Sequence, residues 1–365
     1  MTTARIAVLP EIRAPKERPF QIQTREIPPL VEGAVLVKNL MAGVCGTDVH
    51  ILHGKVPVRL PAVLGHENAG RVEAIGGDAP IKDITGKTLQ IGDTVTWLPK
   101  SCMRCYNCTI LNDQSKCTNR VGYGGWVVPA DQHPYFVGGF AEVSWVLPGS
   151  DFVVIPPEVS LEGVVLGDAL RIMVHALDCL GGLEYGDTVV VQGAGPVGMM
   201  GMILAKDAGA GKVILIGGPA GRLALAREFG AYATLDIAEM TAAERIAAVM
   251  DMTDGRGADA VFECAGVPAA VPEGLEMVRI NGSYLIAGHY GDAGTVPLNP
   301  HVINKKQISI KGVWSASNKH FLRGLTLLGR IAVEKLVTHR FGLDEINDAL
   351  IAAERQEVLK AVIVP

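Results

Sequence analysis

Between residues 45 and 67 the chain reads Cys45-Gly46-Thr47-Asp48-Val49-His50 and then, after a short gap, Gly65-His66-Glu67. A thiolate, an imidazole and carboxylates are suitable ligands for Zn²⁺. The Thr47 hydroxyl and the His50 imidazole add groups able to carry a proton. Taken alone, Cys45 reads as readily as a small buried apolar residue. Metal-binding and proton-transfer groups in one short segment point instead to a zinc enzyme.

Cys102, Cys105, Cys108 and Cys117 strengthen that reading, with the spacing C-x2-C-x2-C-x8-C. Four thiolates complete a tetrahedral shell and leave no position for substrate, so such a site is structural. The alternatives are a pair of disulfides or a reduced loop without metal. Met1 to Arg13 has neither the apolar core nor the small-residue cleavage pattern of a secretory leader. In a reducing compartment clustered cysteines favour metal, and cytoplasmic residence is the default expectation.

The third feature is Gly193-Ala194-Gly195-Pro196-Val197-Gly198, preceded by the β-branched run Thr188 to Val191 and followed by an apolar, helix-compatible stretch, Met199 to Ala208. Strand, G-x-G-x-x-G and helix is the context in which a dinucleotide is bound. The first glycine allows the tight turn, the second admits backbone to the pyrophosphate, and the third lets helix pack on strand.

With these motifs and Gly138-Gly139-Phe140-Ala141-Glu142 in this order, the chain resembles the zinc-dependent medium-chain dehydrogenase/reductases, the alcohol and polyol dehydrogenase family, nearly end to end. The resemblance implies an α/β fold: a chaperonin-10-like irregular β catalytic domain and a Rossmann doubly wound parallel-sheet domain. It implies two zinc ions per chain, one catalytic and one structural, and a homodimer or homotetramer, with sheet-edge pairing of the nucleotide domains as the expected contact.

Composition agrees. The 365 residues, 48% hydrophobic and 19% charged, suit about two compact domains. A net charge of −5 leaves no basic footprint for nucleic acid. No membrane span is expected, because the most apolar stretch, Val189 to Ala205, is broken by Gln192 and several glycines. Residues 1–158 carry short β-type runs divided by Gly and Pro, such as Gly33 to Val37 and Thr94 to Trp97. From Leu161 strands and helices alternate, as in a parallel sheet. The expected division is 1–158 and 159–307, with 308–365 rejoining the catalytic domain and the active site in the cleft between.

The resemblance places Cys45 and His66 on the catalytic zinc and puts Asp168, in Leu166-Gly167-Asp168-Ala169-Leu170, at the third ligand position. A helix N-cap is the competing account of Asp168. Glu67 is expected near the metal, as an occasional ligand or as a support for His66. A zinc ion with an open position acidifies an alcohol, Thr47 passes the proton onward, and His50 delivers it to water. His50 could equally be a satisfied surface histidine, and Asp48 a turn carboxylate or a support for the His66 ring.

Cofactor choice is less defined. The strand Lys212 to Ile216 ends at Gly217-Gly218, without the carboxylate that binds ribose hydroxyls in NAD enzymes. Arg222 follows, able to meet adenine or a 2′-phosphate, or to lie exposed on its helix. With no basic cluster to receive a phosphate, NAD is favoured over NADP. By resemblance Lys360 stands near the pyrophosphate; otherwise it is a solvated lysine.

Three departures from the family pattern stand out. The Cys108–Cys117 gap is one residue longer than usual, extra aromatic chain fills 121–137, and Arg171 and Met173 replace smaller residues. The insert reads either as a substrate entrance or as a glycine-hinged surface loop. Cys179 and Cys264 read as buried structural thiols. The activity implied is hydride transfer between NAD(P) and an alcohol, giving a ketone or aldehyde, with a fairly apolar or cyclic secondary alcohol favoured. Formaldehyde or aldehyde oxidation, polyol oxidation and a non-catalytic NAD(P)-binding protein are the alternatives.

Overall fold

The structure, a computed structural model, describes residues 2–291 and 294–365. The chain forms two compact units: Met1–Asp168 with Leu325–Pro365, and Ala169–Gly324.

In the first unit, β1 (Thr3–Val8) and β2 (Gln21–Glu26) form an antiparallel ribbon. The main sheet is built from β3 (Val35–Gly43), β4 (Glu67–Ile75), β5 (Thr94–Leu98), β6 (Val143–Val146), β7 (Asp151–Val154) and two C-terminal strands. Those last two, Val337–Gly342 and Lys360–Val364, are β14 and β15 in chain order. The sheet runs β14-β15-β3-β4-β5-β7, with β6 also on β3. Its helices are short: α1 (Gly46–Leu52) and α2 (Tyr106–Thr109), joined near the C-terminus by α10 (Ile346–Glu354). Strands buried over most of their length feed three apolar clusters, one of which packs α1 and α10 around Leu64, Phe140 and Ile363.

The second unit is the α/β half. Among the described residues a six-stranded parallel sheet follows the order β10-β9-β8-β11-β12-β13. The strands are β8 (Thr188–Gln192), β9 (Lys212–Gly217), β10 (Ala233–Asp236), β11 (Ala258–Glu263), β12 (Val278–Ile286) and β13 (Ser309–Gly312). Crossovers are made by α4 (Pro196–Asp207), α5 (Ala220–Glu228), α6 (Ala242–Met252), α7 (Ala270–Met277) and α8 (Pro300–Lys306). The long α3 (Leu161–Leu180) and α9 (Asn318–Leu328) contain the points where the two units divide. Strand order reverses at β8, whose neighbours are β9 and β11, and that is where a doubly wound sheet offers a ligand crevice.

The expected fold class is the observed one. The boundary at 307/308 differs: residues 309–324 stay with the second unit because β13 continues the parallel ladder from β12, Ser283 beside Ser309 through Ile286 beside Gly312.

At the turn after β8 the glycines are required by space. Gly193 has φ +111°, and a β-carbon there would come within 2.8 Å of Ala265 N. One on Gly198 would overlap the Gly193 carbonyl, whereas Gly195 faces open space. Gly198→Ala is therefore expected to cost about 1–3 kcal/mol of stability, read from urea unfolding. An unchanged midpoint would show that the turn can move aside.

Candidate metal and dinucleotide sites

The metal site of the first unit begins with three adjacent strands. On β3, Gly43 lies opposite Glu67 of β4 and Val362 of β15. A β-carbon on Gly43 would overlap Glu67 Oε2 and stand 2.9 Å from Lys360 Cε. Glycine leaves the room in which Lys360 Nζ donates to Glu67 Oε2, with the two side chains only 1% and 3% exposed. Lys360 is therefore not a solvated lysine.

Two residues beyond Gly43, Cys45 caps α1. Asp48, three residues on, takes the Cys45 backbone N–H at 2.8 Å through Oδ2 and turns Oδ1 towards His66 Nδ1 at 3.6 Å. Thus Asp48 both closes the loop and orients the His66 ring, which leaves Nε2 as the nitrogen to ligate. Thr47 Oγ1 lies 3.6 Å from Cys45 Sγ. His50 is half-buried on α1, one turn beyond Thr47 and on the same helix face.

Ligand atoms of Cys45, His66 and Glu67 all lie within 4.8 Å of one another. Asp168 is outside that set, but its charge helps raise Glu67. It sits well inside α3, which begins at Leu161, so the N-cap account of Asp168 fails.

Burial lifts Glu67 above the ordinary carboxylate range, with Lys360 and His66 pulling it back. Burial alone would lower His66, but Asp48 and Cys45 carry it well above its usual value. Lys360 behaves the same way: burial lowers it, and Glu67, Cys45 and Asp48 raise it further. Both buried bases are raised by the carboxylates and thiol around them, and that clustering of anionic donors suits a divalent cation. Asp48 Oδ1 and His66 Nδ1 are both buried and face each other at 3.6 Å, without a hydrogen bond to any other described residue. The donor set fits zinc.

The four-cysteine lobe fits it as well. Cys105 Sγ is 3.5 Å from Cys108 Sγ and 4.0 Å from Cys117 Sγ. Sulfurs around a tetrahedral zinc at 2.3 Å would be about 3.8 Å apart. All seven cysteines are free, which removes the disulfide alternative. Backbone N–H groups of Thr118 and Cys108 hold Cys105 down to about 5, while burial and the adjoining Cys105 and Cys117 thiols push Cys108 up to about 12. Without a cation such neighbours cannot all ionise. The longer Cys108–Cys117 gap is absorbed by α2 and a 3₁₀ turn at Gln114–Lys116.

The 121–137 insert is not a surface loop. Tyr123 and Phe136 are buried, and Trp126 sets its ring edge against His66 with centroids 5.8 Å apart at 70°. The Trp126 indole N–H is anchored on Pro57 O at 3.0 Å. Aromatic composition within the insert was the available signal, but it could not say which ring reaches the metal ligand.

In the second unit, Gly195 caps α4 and Pro196 opens it, with Val197 and Gly198 in its first turn. Gly217, at the end of β9, packs so closely on this motif that a β-carbon there would be 2.8 Å from Ala194 N. Arg222 is half-buried in the first turn of α5, and Arg171 is buried on α3. The sequence reading missed Glu263, a sealed carboxylate at the end of β11 whose Oε1 accepts the N–H groups of Ala265 and Gly266 at 2.8 Å. It holds the loop against which Gly193 packs. The adjacent Cys264 is half-buried, as is Cys179, rather than sealed, and desolvation together with Glu263 pushes its thiol well above the usual range.

Comparison with known proteins identifies the domains. Residues 31–157 match an alcohol dehydrogenase GroES-like domain, and residues 196–329 a zinc-binding dehydrogenase domain. The chain is 34% identical over 352 residues to 5-exo-hydroxycamphor dehydrogenase of Pseudomonas putida, covering 94% of this chain and 95% of the relative. It is 31% identical over 358 residues to sorbitol dehydrogenase of Bacillus subtilis, covering 95% of each. The crystal structure of an alcohol dehydrogenase from Thermotoga maritima superposes with a TM-score of 0.94 at 35% identity, over 100% of this chain and 99% of that one.

Two outcomes follow from the geometry. Cys105→Ser should lose one equivalent of zinc and lower Tm by about 5 °C or more; full zinc content by elemental analysis would refute a closed thiolate site. Lys360→Met leaves Glu67 sealed without its cation, a loss of about 3–5 kcal/mol. Zinc should then raise the Tm of this variant more than that of the wild type, and equal increments would show that the pair is not coupled to the metal.

Proposed function

The chain belongs to the zinc-binding medium-chain alcohol and polyol dehydrogenase family, and from that premise we propose that it oxidises a fairly apolar, cyclic secondary alcohol to the ketone with NAD as hydride acceptor. Within the family the coarse activity is nicotinamide-linked, zinc-dependent oxidation of a CH–OH group. The observation that carries the finer reading is Trp126, an indole held edge-on against a ligand residue of the metal site. A flat aromatic wall there favours the hydrocarbon face of a ring over the hydroxyls of an open-chain polyol.

When bound, zinc lowers the pKa of an alcohol hydroxyl and so favours its ionisation near neutrality. The chain supplies the rest. In our reading Cys45, His66 and Asp168 hold the metal, and Glu67, tethered by Lys360, is kept in reserve beside it. Thr47, next to Cys45, takes the substrate's hydroxyl proton as it gives up its own, and His50 at the next turn of α1 passes a proton to water. Gly193, Gly195, Pro196, Val197 and Gly198 cradle the pyrophosphate at the start of α4, with Gly217 giving the turn its clearance and Arg222 flanking the adenosine. The thiolate lobe stabilises the fold. A second copy would pair along β13, an edge strand whose four residues are all exposed.

The test is nicotinamide reduction against a panel of cyclic secondary alcohols, polyols and aldehydes. Cyclic alcohols should give the highest kcat/KM, and Cys45→Ser should abolish turnover while leaving NAD affinity within about twofold. A panel led by polyols would replace the cyclic-alcohol reading with the sugar-alcohol one. Turnover retained by Cys45→Ser would remove Cys45 from the site.

A further inference from the structure

The second strand of a dinucleotide-binding sheet commonly ends in a carboxylate that takes the adenosine ribose hydroxyls, yet β9 ends in Gly217-Gly218. Position 217 has no room for a side chain, since a β-carbon would meet Ala194 of the phosphate-binding turn at 2.8 Å. Position 218 is different. A β-carbon there makes only ordinary contacts, one of them with Asp236 Oδ1 at 3.6 Å. Asp236 is the last residue of β10, which runs parallel to β9 with Asp236 in register with Gly217. The neighbouring strand thus delivers a carboxylate oxygen close to where an acidic side chain at 218 would carry its own.

Asp236 is also fixed in place. Its Oδ1 accepts the Ala238 N–H at 2.9 Å, and its carbonyl accepts the N–H of Met240 at 3.0 Å. These local bonds hold the carboxylate at the carboxyl edge of the sheet, while the side chain stays partly open to solvent.

We propose that Asp236 is the cofactor-specificity residue of this chain, reading the adenosine ribose hydroxyls from β10 in place of the absent β9 carboxylate. The assignment rests on the dehydrogenase reading above and deepens it. A carboxylate there accepts both ribose hydroxyls of NAD. The same charge repels a 2′-phosphate, which also lacks one of the two hydroxyl donors. Arg222 follows in the same turn but is drawn partly into α5, so its charge offsets that repulsion only in part.

The test is direct binding of NAD and of NADP to the intact zinc-loaded protein by calorimetry, without alcohol. Wild type should bind NAD the more tightly. Asp236→Asn keeps the side chain's size and its bond to Ala238. It should weaken NAD about 10- to 100-fold, the range for losing a charge-assisted hydrogen-bond pair, and leave NADP unchanged or tighter. Adding Gly218→Asp to Asp236→Asn returns a carboxylate to the same place from β9 and should recover most of the NAD preference. A purely structural role for Asp236 would not be rescued in this way. Tighter binding of NADP by the wild type, or an unchanged preference in Asp236→Asn, would overturn the assignment. Failure of the wild type to bind either dinucleotide would instead overturn the dehydrogenase reading.

Discussion

The Lys360–Glu67 pair is the constraint around which the first unit is arranged. Removing an ammonium and a carboxylate from water is costly unless each meets the other and further polar partners. The sheet meets that requirement by bringing β4 and β15 to opposite sides of β3 and leaving β3 without a side chain at Gly43. Because Cys45 follows Gly43 by two residues and His66 precedes Glu67 by one, the same register that pairs the charges also assembles the metal ligands. Asp48 adds a further sealed carboxylate, and both His66 and Lys360 are driven upward despite burial. The fold therefore prepares a site for a cation rather than merely tolerating one.

The second unit solves a different problem. The turn after β8 needs backbone close to backbone, and Gly193, Gly198 and Gly217 are each forced by a neighbouring backbone or Cβ atom. Close packing at Gly217 has a consequence for recognition, since it prevents that residue from carrying a carboxylate. In a parallel sheet the neighbouring strand ends at the same edge, and Asp236 can serve the place that β9 leaves bare.

Much of this was legible in the sequence because the informative elements are local. The cysteine lobe, the capping segment Cys45 to His50 and the Gly193 turn each keep their chemistry within a few consecutive residues, so spacing alone reports it. Asp48 shows both the reach and the limit of such reading: a turn carboxylate and a support for His66 were alternatives, and its two oxygens do both. The Glu67–Lys360 contact spans 293 residues and leaves no trace in local spacing, and Lys360 alone could be assigned only by resemblance. Trp126 and Asp236 were hidden for the same reason. Their importance lies in which neighbour the tertiary fold supplies, His66 in one case and the end of β9 in the other. The domain limit near 308 was misplaced because an edge strand as short as β13 reads the same whichever sheet it joins.

Two metal positions of different character thus lie in one chain, a closed thiolate lobe and an open mixed site beside the Lys360–Glu67 pair. Replacing zinc by Co²⁺ in the intact protein and recording its visible absorption with and without a cyclic secondary alcohol tests this most directly. Two cobalt ions per chain are expected, both with sulfur-to-metal charge-transfer bands, and an alcohol-induced change in the ligand-field bands of one of them only. A single cobalt per chain, or a spectrum indifferent to alcohol at saturating NAD, would contradict it.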